Sequence, residues 1–200
     1  RFLCALFAPP PARPLLYLIA ALDHELARAR AAVREPGLAL LRLHWWREVI
    51  EGAERRHELA TPLGAALRAG RLPRATLRAM VDGHEIETEE VIPTLAAWRS
   101  WLEATSGNAA LAAGQVLGAP EASREALRRV GAAHGAGRVL RTHRALARQR
   151  RCLLPEEVLA RHGLSAHSLP ARPDDPRLLP ALRELAAEAR GWMPHRFRAP

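Results

Sequence analysis

The sequence contains no lysine, four aspartates and two cysteines. Cys4 and Cys152 are too few to build a disulfide framework, and neither belongs to a CxxC pair or to a Cys/His cluster of the kind that binds zinc. The longest run without a charged residue, 104–120, is shorter than the roughly 20 apolar residues that a membrane-spanning helix requires. We therefore expect a cytoplasmic protein in a reducing compartment that does not cross a bilayer.

The absence of lysine changes how the net charge is interpreted. All 30 basic residues are arginine, and the formal net charge is +9. Arginine is abundant together with Ala, Leu, Gly and Pro, which is the usage of a GC-rich genome, so part of the excess reflects codon usage. Because the chain has no compact basic block and no basic stretch interleaved with aromatic residues, we expect no nucleic-acid partner. A diffuse attraction to anionic lipid or to acidic partners remains open.

Apolar residues recur with the helical period in almost every segment, so the sequence predicts an all-α fold. Two hundred residues fit a single domain, 1–200. About eight helices are expected, near residues 14–35, 38–57, 61–70, 73–91, 95–117, 121–147, 155–162 and 178–192. Residues 1–8 fit either a first helical turn or the core of a signal peptide. The missing initiator Met suggests N-terminal trimming, and residues 194–200 are expected to form a frayed tail.

Three local features refine the helical prediction. The adjacent Trp45 and Trp46 indicate that their helix contributes to the core. Ser106 and Gly107 are expected to kink the helix that contains them. Glycines inside the long helix are expected to permit close packing against a neighbouring helix, and these are Gly131, Gly135 and Gly137.

Side chains that could hold a metal ion or perform catalysis are sparse. Asp82, Glu85 and Glu89 share one face of a predicted helix, but Glu87 makes the whole stretch acidic, so we interpret it as a solvated face. The nine histidines are scattered, and the sequence has no HExxH, GxSxG, Walker or dinucleotide-binding motif. We therefore predict no catalytic residue, no metal ligand and no cofactor.

Two arginine-containing stretches are candidates for a binding site. Positive charge is concentrated in 141–151, and arginine suits bidentate capture of phosphate. The alternative is the solvated basic end of a long helix, where arginine complements the helix dipole. In 42–48 arginines flank the tryptophan pair, and a plain core helix is the alternative. The candidate anion- or diphosphate-binding residues are Arg47, Arg141, His143, Arg144, Arg148 and Arg151. The candidate cavity-lining residues are His44, Trp45 and Trp46.

Several segments, in their order and spacing, resemble the squalene/phytoene synthase family, whose fold is the all-α isoprenoid synthase bundle. These segments are RFLCALFAP (1–9), HELAR (24–28), RLHWWRE (42–48), EATSG (103–107), CLLP (152–155) and HGL (162–164). Each is a modest signal by itself. Together they extend over nearly the whole chain, and the resemblance implies an isoprenoid-synthase-like helical bundle.

The resemblance also implies where metal sites would lie. Active members of the family bind prenyl diphosphates through Mg²⁺ held by two aspartate-rich motifs on facing helices. The first motif falls on 27–31, which reads ARARA, and the second falls near Thr142, Ala145 and Leu146. No aspartate occurs between positions 82 and 174, so a shifted register does not restore the second motif. Without these oxygen ligands, Mg²⁺ is not held and the diphosphate leaving group is not neutralised.

Within the family, the chain is most similar to the branch represented by a mitochondrial complex I assembly factor with a phytoene-synthase-like domain, which also lacks the aspartate pairs. This similarity implies a non-catalytic assembly or interaction factor for a membrane respiratory complex, peripheral to the inner membrane. Its partners would be proteins, with an isoprenoid or anionic lipid as a further ligand. Two alternatives stay open. One is a Mg²⁺-dependent prenyl-diphosphate transferase of isoprenoid biosynthesis, and the other is an isoprenoid carrier without turnover.

Overall fold

The computed structural model describes residues 2–31, 33 and 35–194. Within these ranges the regular secondary structure is helical, apart from an isolated parallel bridge between Ile92 and Pro155. The α-helices are α1 (Phe2–Ala5), α2 (Arg13–Ala31), α3 (Pro36–Glu51), α4 (Ala60–Arg68), α5 (Arg74–Gly83), α6 (Leu95–Leu102), α7 (Asn108–Val116), α8 (Arg124–Arg148), α9 (Glu156–Arg161) and α10 (Leu178–Trp192). The predicted all-α fold is confirmed. The predicted frayed tail, apart from Pro194, lies outside the described residues.

A first apolar cluster is formed by the N-terminal helices α2 to α5. In α2, Leu15, Ile19, Leu22 and Leu26 recur every three or four residues and are all buried, as the periodicity predicts. α3, α4 and α5 pack their apolar faces against this stripe, and Ala112 of α7 closes the cluster.

Helix α3 differs from the prediction in its end. It ends at Glu51 rather than near His57, because Gly52 adopts a φ of 121° and donates its N–H to carbonyls of the last turn. Leu41, an apolar residue of the same helix, is 65% exposed, whereas Trp46 is buried. The prediction that α3 belongs to the core is confirmed, with the buried face turned away from Leu41.

A second apolar cluster is formed by α6, α8, α9 and α10. Trp98 of α6 lies at its centre, fully buried, and donates its indole N–H to the carbonyl oxygen of Leu153 at 2.9 Å. Its ring centroid lies 5.5 Å from that of Trp192 in α10. This hydrogen bond attaches the segment after α8 to the core.

The two halves meet where α8 crosses a π-helical turn, Glu103–Gly107, between α6 and α7. A Cβ atom placed on Gly131 would lie 2.5 Å from the carbonyl oxygen of Ser106, and one placed on Gly135 would lie 2.6 Å from the Ser106 hydroxyl. The predicted irregularity at Ser106 and the predicted close packing at these two glycines are confirmed. Gly137 has a different environment, because its nearest neighbour is the flexible tip of the Arg141 side chain.

The acidic stretch after α5 differs from the continuous solvated helix face that the sequence predicts. The α-helix ends at Gly83 instead of continuing to Val91, and His84–Thr88 forms a 3₁₀ turn. This tighter turn directs Glu87 into the interior, where it is 7% exposed. The interpretation of the whole stretch as a solvated face is therefore wrong for Glu87.

Candidate functional site

A cleft lies between the C-terminal end of α2 and the C-terminal end of α8. It has a volume of about 710 Å³ and is lined by Arg30, Ala31, Val33, Arg148, Gln149, Arg150 and Arg151. We call it the arginine cleft. It continues into an adjoining hollow of about 550 Å³, which shares Arg30, Arg150 and Arg151 with it. The cleft therefore brings together four guanidinium groups from two distant segments of the chain.

The four arginines differ in how they are neutralised. Arg151 donates to Glu87 at 2.7 Å, and its side chain is 9% exposed. Arg30 donates to the backbone carbonyl of Val33 at 2.9 Å. Within the described ranges, no carboxylate lies at ion-pair distance from Arg148 or Arg150, and both residues are exposed. Two positive charges therefore face solvent in the cleft.

Arg151 is held in place by a buried polar triad. Glu87 Oε1 lies 2.7 Å from His84 Nδ1, while Glu87 Oε2 accepts the Arg151 hydrogen bond. Burial by itself raises the pKa of Glu87, but the hydrogen bond and charge interaction with His84, together with the Arg151 guanidinium, outweigh it. The pKa of Glu87 consequently lies below its ordinary value, and the carboxylate stays ionised beneath the cleft.

A second polar link joins α2 to α8 further along the two helices. Asp23 has no exposed surface, and its Oδ2 accepts from Arg138 Nη1 at 3.4 Å. Arg138 also lies 3.4 Å from the hydroxyl of Ser106 in the π-helical turn. The aspartate in this part of α2 therefore contacts a guanidinium directly.

An apolar cavity of about 850 Å³ opens on the other side of this link. Its walls come from α1, α2, α7 and α8, and representative lining residues are Phe7, Ile19, Ala110, Ala113, Leu117 and Gly131. Phe7 and Leu117 are 92% and 50% exposed, so the cavity has an apolar rim. Asp23 and Ser106 contribute polar atoms to its lining.

The predicted anion-binding residues are only partly brought together. Arg148 and Arg151 line the arginine cleft. Arg144 instead pairs with Asp174 at 2.7 Å, Arg141 is exposed, and His143 lies 2.8 Å from the carbonyl oxygen of Leu140 through Nδ1. The predicted cluster is thus divided along α8, because Arg148 and Arg151 reach the cleft whereas Arg141, His143 and Arg144 lie one or two turns before it.

Arg47 lies on α3 and contacts the acidic stretch. It donates to Asp82 at 2.7 Å and also to Glu85. Hydrogen bonds to Glu85 and Asp82 raise the pKa of Arg47 above its ordinary value. These carboxylates neutralise Arg47, which is not among the residues that line the arginine cleft.

The three predicted cavity-lining residues lie on α3 in different environments. His44 is exposed and lies 3.8 Å from Glu48, and Trp46 packs in the first apolar cluster. Trp45 makes an edge contact with Trp46, with centroids 4.7 Å apart. None of the three lines the apolar cavity described above.

Sequence reasoning missed several residues of the candidate site. Arg30 and Arg150 line the cleft but lie outside the predicted set, and Glu87, Asp23 and Arg138 supply the buried ion pairs. A weak signal exists for Arg150, because it lies inside the basic stretch 141–151. The position of Arg30 opposite this stretch depends on how α2 and α8 pack.

The side chains at the positions implied for a magnesium site do not fit that ion. Arg28 pairs with Glu25 at 3.3 Å, Ala29 is buried, and Thr142 donates its hydroxyl to the carbonyl oxygen of Arg138. Across the described residues, no group of three or more His, Cys, Asp or Glu side chains is placed to hold a metal ion. Guanidinium and methyl groups therefore stand where Mg²⁺ would require oxygen ligands.

In the part of the chain that the structure describes, no helix combines the length and apolar character needed to cross a bilayer.

Comparison with known families gives a match over nearly the whole chain. The family model described as squalene/phytoene synthase matches residues 1–195. The resemblance stated from the sequence motifs is therefore confirmed.

Curated relatives match over a similar extent. A Homo sapiens protein named NADH dehydrogenase (ubiquinone) complex I, assembly factor 6 is 22% identical over 200 residues, which cover 97% of this chain and 60% of the relative. Proteins of the same name from Mus musculus and Bos taurus match with the same identity and coverage. The chain thus spans about 60% of the length of these relatives.

Proposed function

This chain belongs to the squalene/phytoene synthase family, and we propose that it acts as a non-catalytic assembly or interaction factor for a membrane respiratory complex. The observation that carries the proposal is the replacement of the metal-binding carboxylates. The positions implied for the two aspartate-rich motifs hold Ala, Arg, Thr and Leu side chains. Without carboxylates at these positions, the Mg²⁺ ions that neutralise the departing diphosphate in active members of the family have no ligand set.

The named relatives indicate which interaction to test. Their printed name describes assembly of NADH dehydrogenase complex I, and they match 97% of this chain. We extend this role to the chain as part of the proposal, with the protein located at the surface of the membrane that carries the complex. The net charge of +9 is consistent with attraction to an anionic membrane surface.

The test is deletion of the gene in its host, followed by two measurements. We expect less assembled complex I on native gels and lower NADH:ubiquinone oxidoreductase activity, with unchanged isoprenoid products. Expression of the intact protein should restore both properties of complex I. Normal complex I together with loss of an isoprenoid product would refute the proposal and favour the prenyl-diphosphate transferase. Mg²⁺-dependent turnover of farnesyl diphosphate by the purified protein would refute it as well.

The apolar cavity supports a second candidate function, a carrier for an uncharged apolar chain. Its volume of about 850 Å³ is within the range of ligand sites, and most of its lining is apolar. Farnesol is a suitable probe because it has no phosphate that could bind the arginine cleft. We expect farnesol to stabilise the protein in the presence of EDTA and Ala113→Phe to abolish this effect by filling the cavity. Ala122→Phe, at an exposed position, is the matched control, and equal effects of the two variants would refute the carrier function.

A further inference from the structure

We infer that the arginine cleft is a metal-independent binding site for a phosphate-bearing anion. This inference goes beyond the proposed assembly function and does not depend on it. The first support is the charge of the lining. Four arginines line the cleft, and no carboxylate is among its described lining residues, whereas Glu87, Glu89 and Glu90 line the adjoining hollow. A guanidinium group offers paired N–H donors that match two phosphate oxygens, so several such groups recognise phosphate without a bridging cation.

The second support comes from the anchoring of one of the four arginines. The Arg151 side chain is 9% exposed and fixed by Glu87, which is itself held by His84. Arg148 and Arg150 reach the same cleft with no acidic partner among the described residues. The cleft thus combines an immobilised guanidinium with two whose charge is not neutralised, and a phosphate group can supply the missing negative charge.

The alternative is that these arginines merely complement the C-terminal end of α8. The backbone already satisfies two of the last carbonyl groups of that helix, those of Leu146 and Ala147. The N–H of Gln149 and that of Arg151 donate to Leu146 O at 2.9 and 3.0 Å, and the N–H of Arg150 donates to Ala147 O at 2.8 Å. The guanidinium groups are therefore not needed to cap these two carbonyl groups.

The shape of the segment also favours a shared site. Arg150 adopts a φ of 56°, which is uncommon for a residue with a side chain, and this reverses the chain directly after α8. The reversal places Arg150 and Arg151 along the same wall as Arg148. The volume of about 710 Å³ is ample for a diphosphate or for a phospholipid head group.

The test uses the full chain in EDTA with two probes. Inorganic pyrophosphate is titrated by calorimetry, and sedimentation measures binding to phosphatidic acid vesicles, with phosphatidylcholine vesicles as the neutral reference. The cleft variant is Arg148→Gln with Arg150→Asn, because asparagine tolerates the left-handed backbone at position 150. The matched control is Arg124→Gln with Arg129→Gln, which removes the same charge from the other end of α8, where both arginines pair with acids.

We expect the cleft variant to bind at least about tenfold more weakly than the intact chain, since each lost charge-assisted contact is substantial. The control should stay within about twofold, because its arginines are already paired. Binding of pyrophosphate identifies a soluble anion as sufficient. Binding of phosphatidic acid vesicles alone, lost in the cleft variant, identifies a lipid head group. Either result supports the site.

Three results would overturn the inference. The first is the absence of binding to either probe, and the second is an equal loss in the two double variants, which would indicate nonspecific attraction. The third is binding that appears only when Mg²⁺ replaces EDTA. Thermal unfolding by circular dichroism verifies that each variant is folded. A charge-preserving variant, Arg148→Lys with Arg150→Lys, guards against misfolding, and we expect it to bind more weakly than the intact chain because lysine lacks the paired donors.

Discussion

Replacing Gly131 with alanine tests the close contact between α8 and the π-helical turn. The new methyl group would lie 2.5 Å from the carbonyl oxygen of Ser106, 2.6 Å from the Cβ of Ala110 and 2.8 Å from the Cα of Gly107. Two of these neighbours are backbone atoms, which cannot rotate away as a side chain does. Helix α8 must therefore move away from the turn, and the packing on both sides of it is disturbed.

The free energy of unfolding has two opposing contributions in this variant. Overpacking a close-packed site costs roughly 1–3 kcal/mol or more, and the backbone contacts put this site at the upper end. Alanine regains about 1 kcal/mol over glycine in a helix interior. We expect a net loss of about 2 kcal/mol, which corresponds to a melting temperature lower by roughly 4–8 °C for a chain of this size.

Gly137→Ala is the matched control on the same helix. Its new methyl group would meet only the tip of the Arg141 side chain, at 3.2 Å, and that side chain can move aside. We expect a gain of up to about 1 kcal/mol from helix propensity. Urea unfolding followed by far-UV circular dichroism measures both variants, with the slope of the transition checked for constancy. Equal or greater stability of Gly131→Ala relative to Gly137→Ala would show that the described contact is wrong.

Three further predictions concern other parts of the chain. The folded-state pKa of Glu87 lies below the ordinary value, so its carboxylate contributes stability that is complete above the unfolded pKa of about 4.3 and is lost as the pH falls through the folded pKa. Glu87→Gln should therefore flatten the acid limb of stability against pH, and an unchanged limb would contradict this. Trp98→Phe should lower the free energy of unfolding in denaturant by about 1–2 kcal/mol, because it leaves the Leu153 carbonyl oxygen without its indole donor. A loss of stability smaller than that of an exposed-site substitution would refute this prediction. Burial raises the pKa of the Cys152 thiol to about 11, so a thiol-specific chromogenic reagent near pH 8 should modify exposed Cys4 first. Equal labelling rates in single-cysteine variants would argue against this burial.

The sequence predicts the helices well because their signals are local. The buried stripe of α2 follows from apolar spacing alone, and the start of α9 follows from Pro155 with acids in the first turn. The end of α3 is harder to predict, because Gly52 ends the helix before the helical spacing of apolar and aromatic residues ends. The 3₁₀ turn that buries Glu87 has no distinctive local signal in an acidic stretch, since its direction depends on the partner Arg151.

The candidate site is less predictable than the fold for a related reason. Five of the six predicted anion-binding residues lie in 141–151, but charge along a helix does not tell at which turn a cleft opens. Arg144 and Arg148 share a face of α8, yet Arg144 pairs with Asp174 while Arg148, one turn later, reaches the cleft. Arg30 joins the cleft only because the fold places the end of α2 opposite the end of α8, which no spacing within either helix encodes.

The contact between α8 and the π-helical turn separates the two apolar clusters and is made by small residues. Because small residues bury little hydrocarbon, separating α8 from the turn exposes less apolar surface than disrupting either apolar cluster. Amide protons of 103–110 and of the middle of α8 should therefore exchange through a partial opening before global unfolding. Ser106, Ala110 and Gly131 belong both to this contact and to the lining of the apolar cavity. A bulky ligand that separates α8 from the turn would therefore enlarge the cavity at a modest energetic cost.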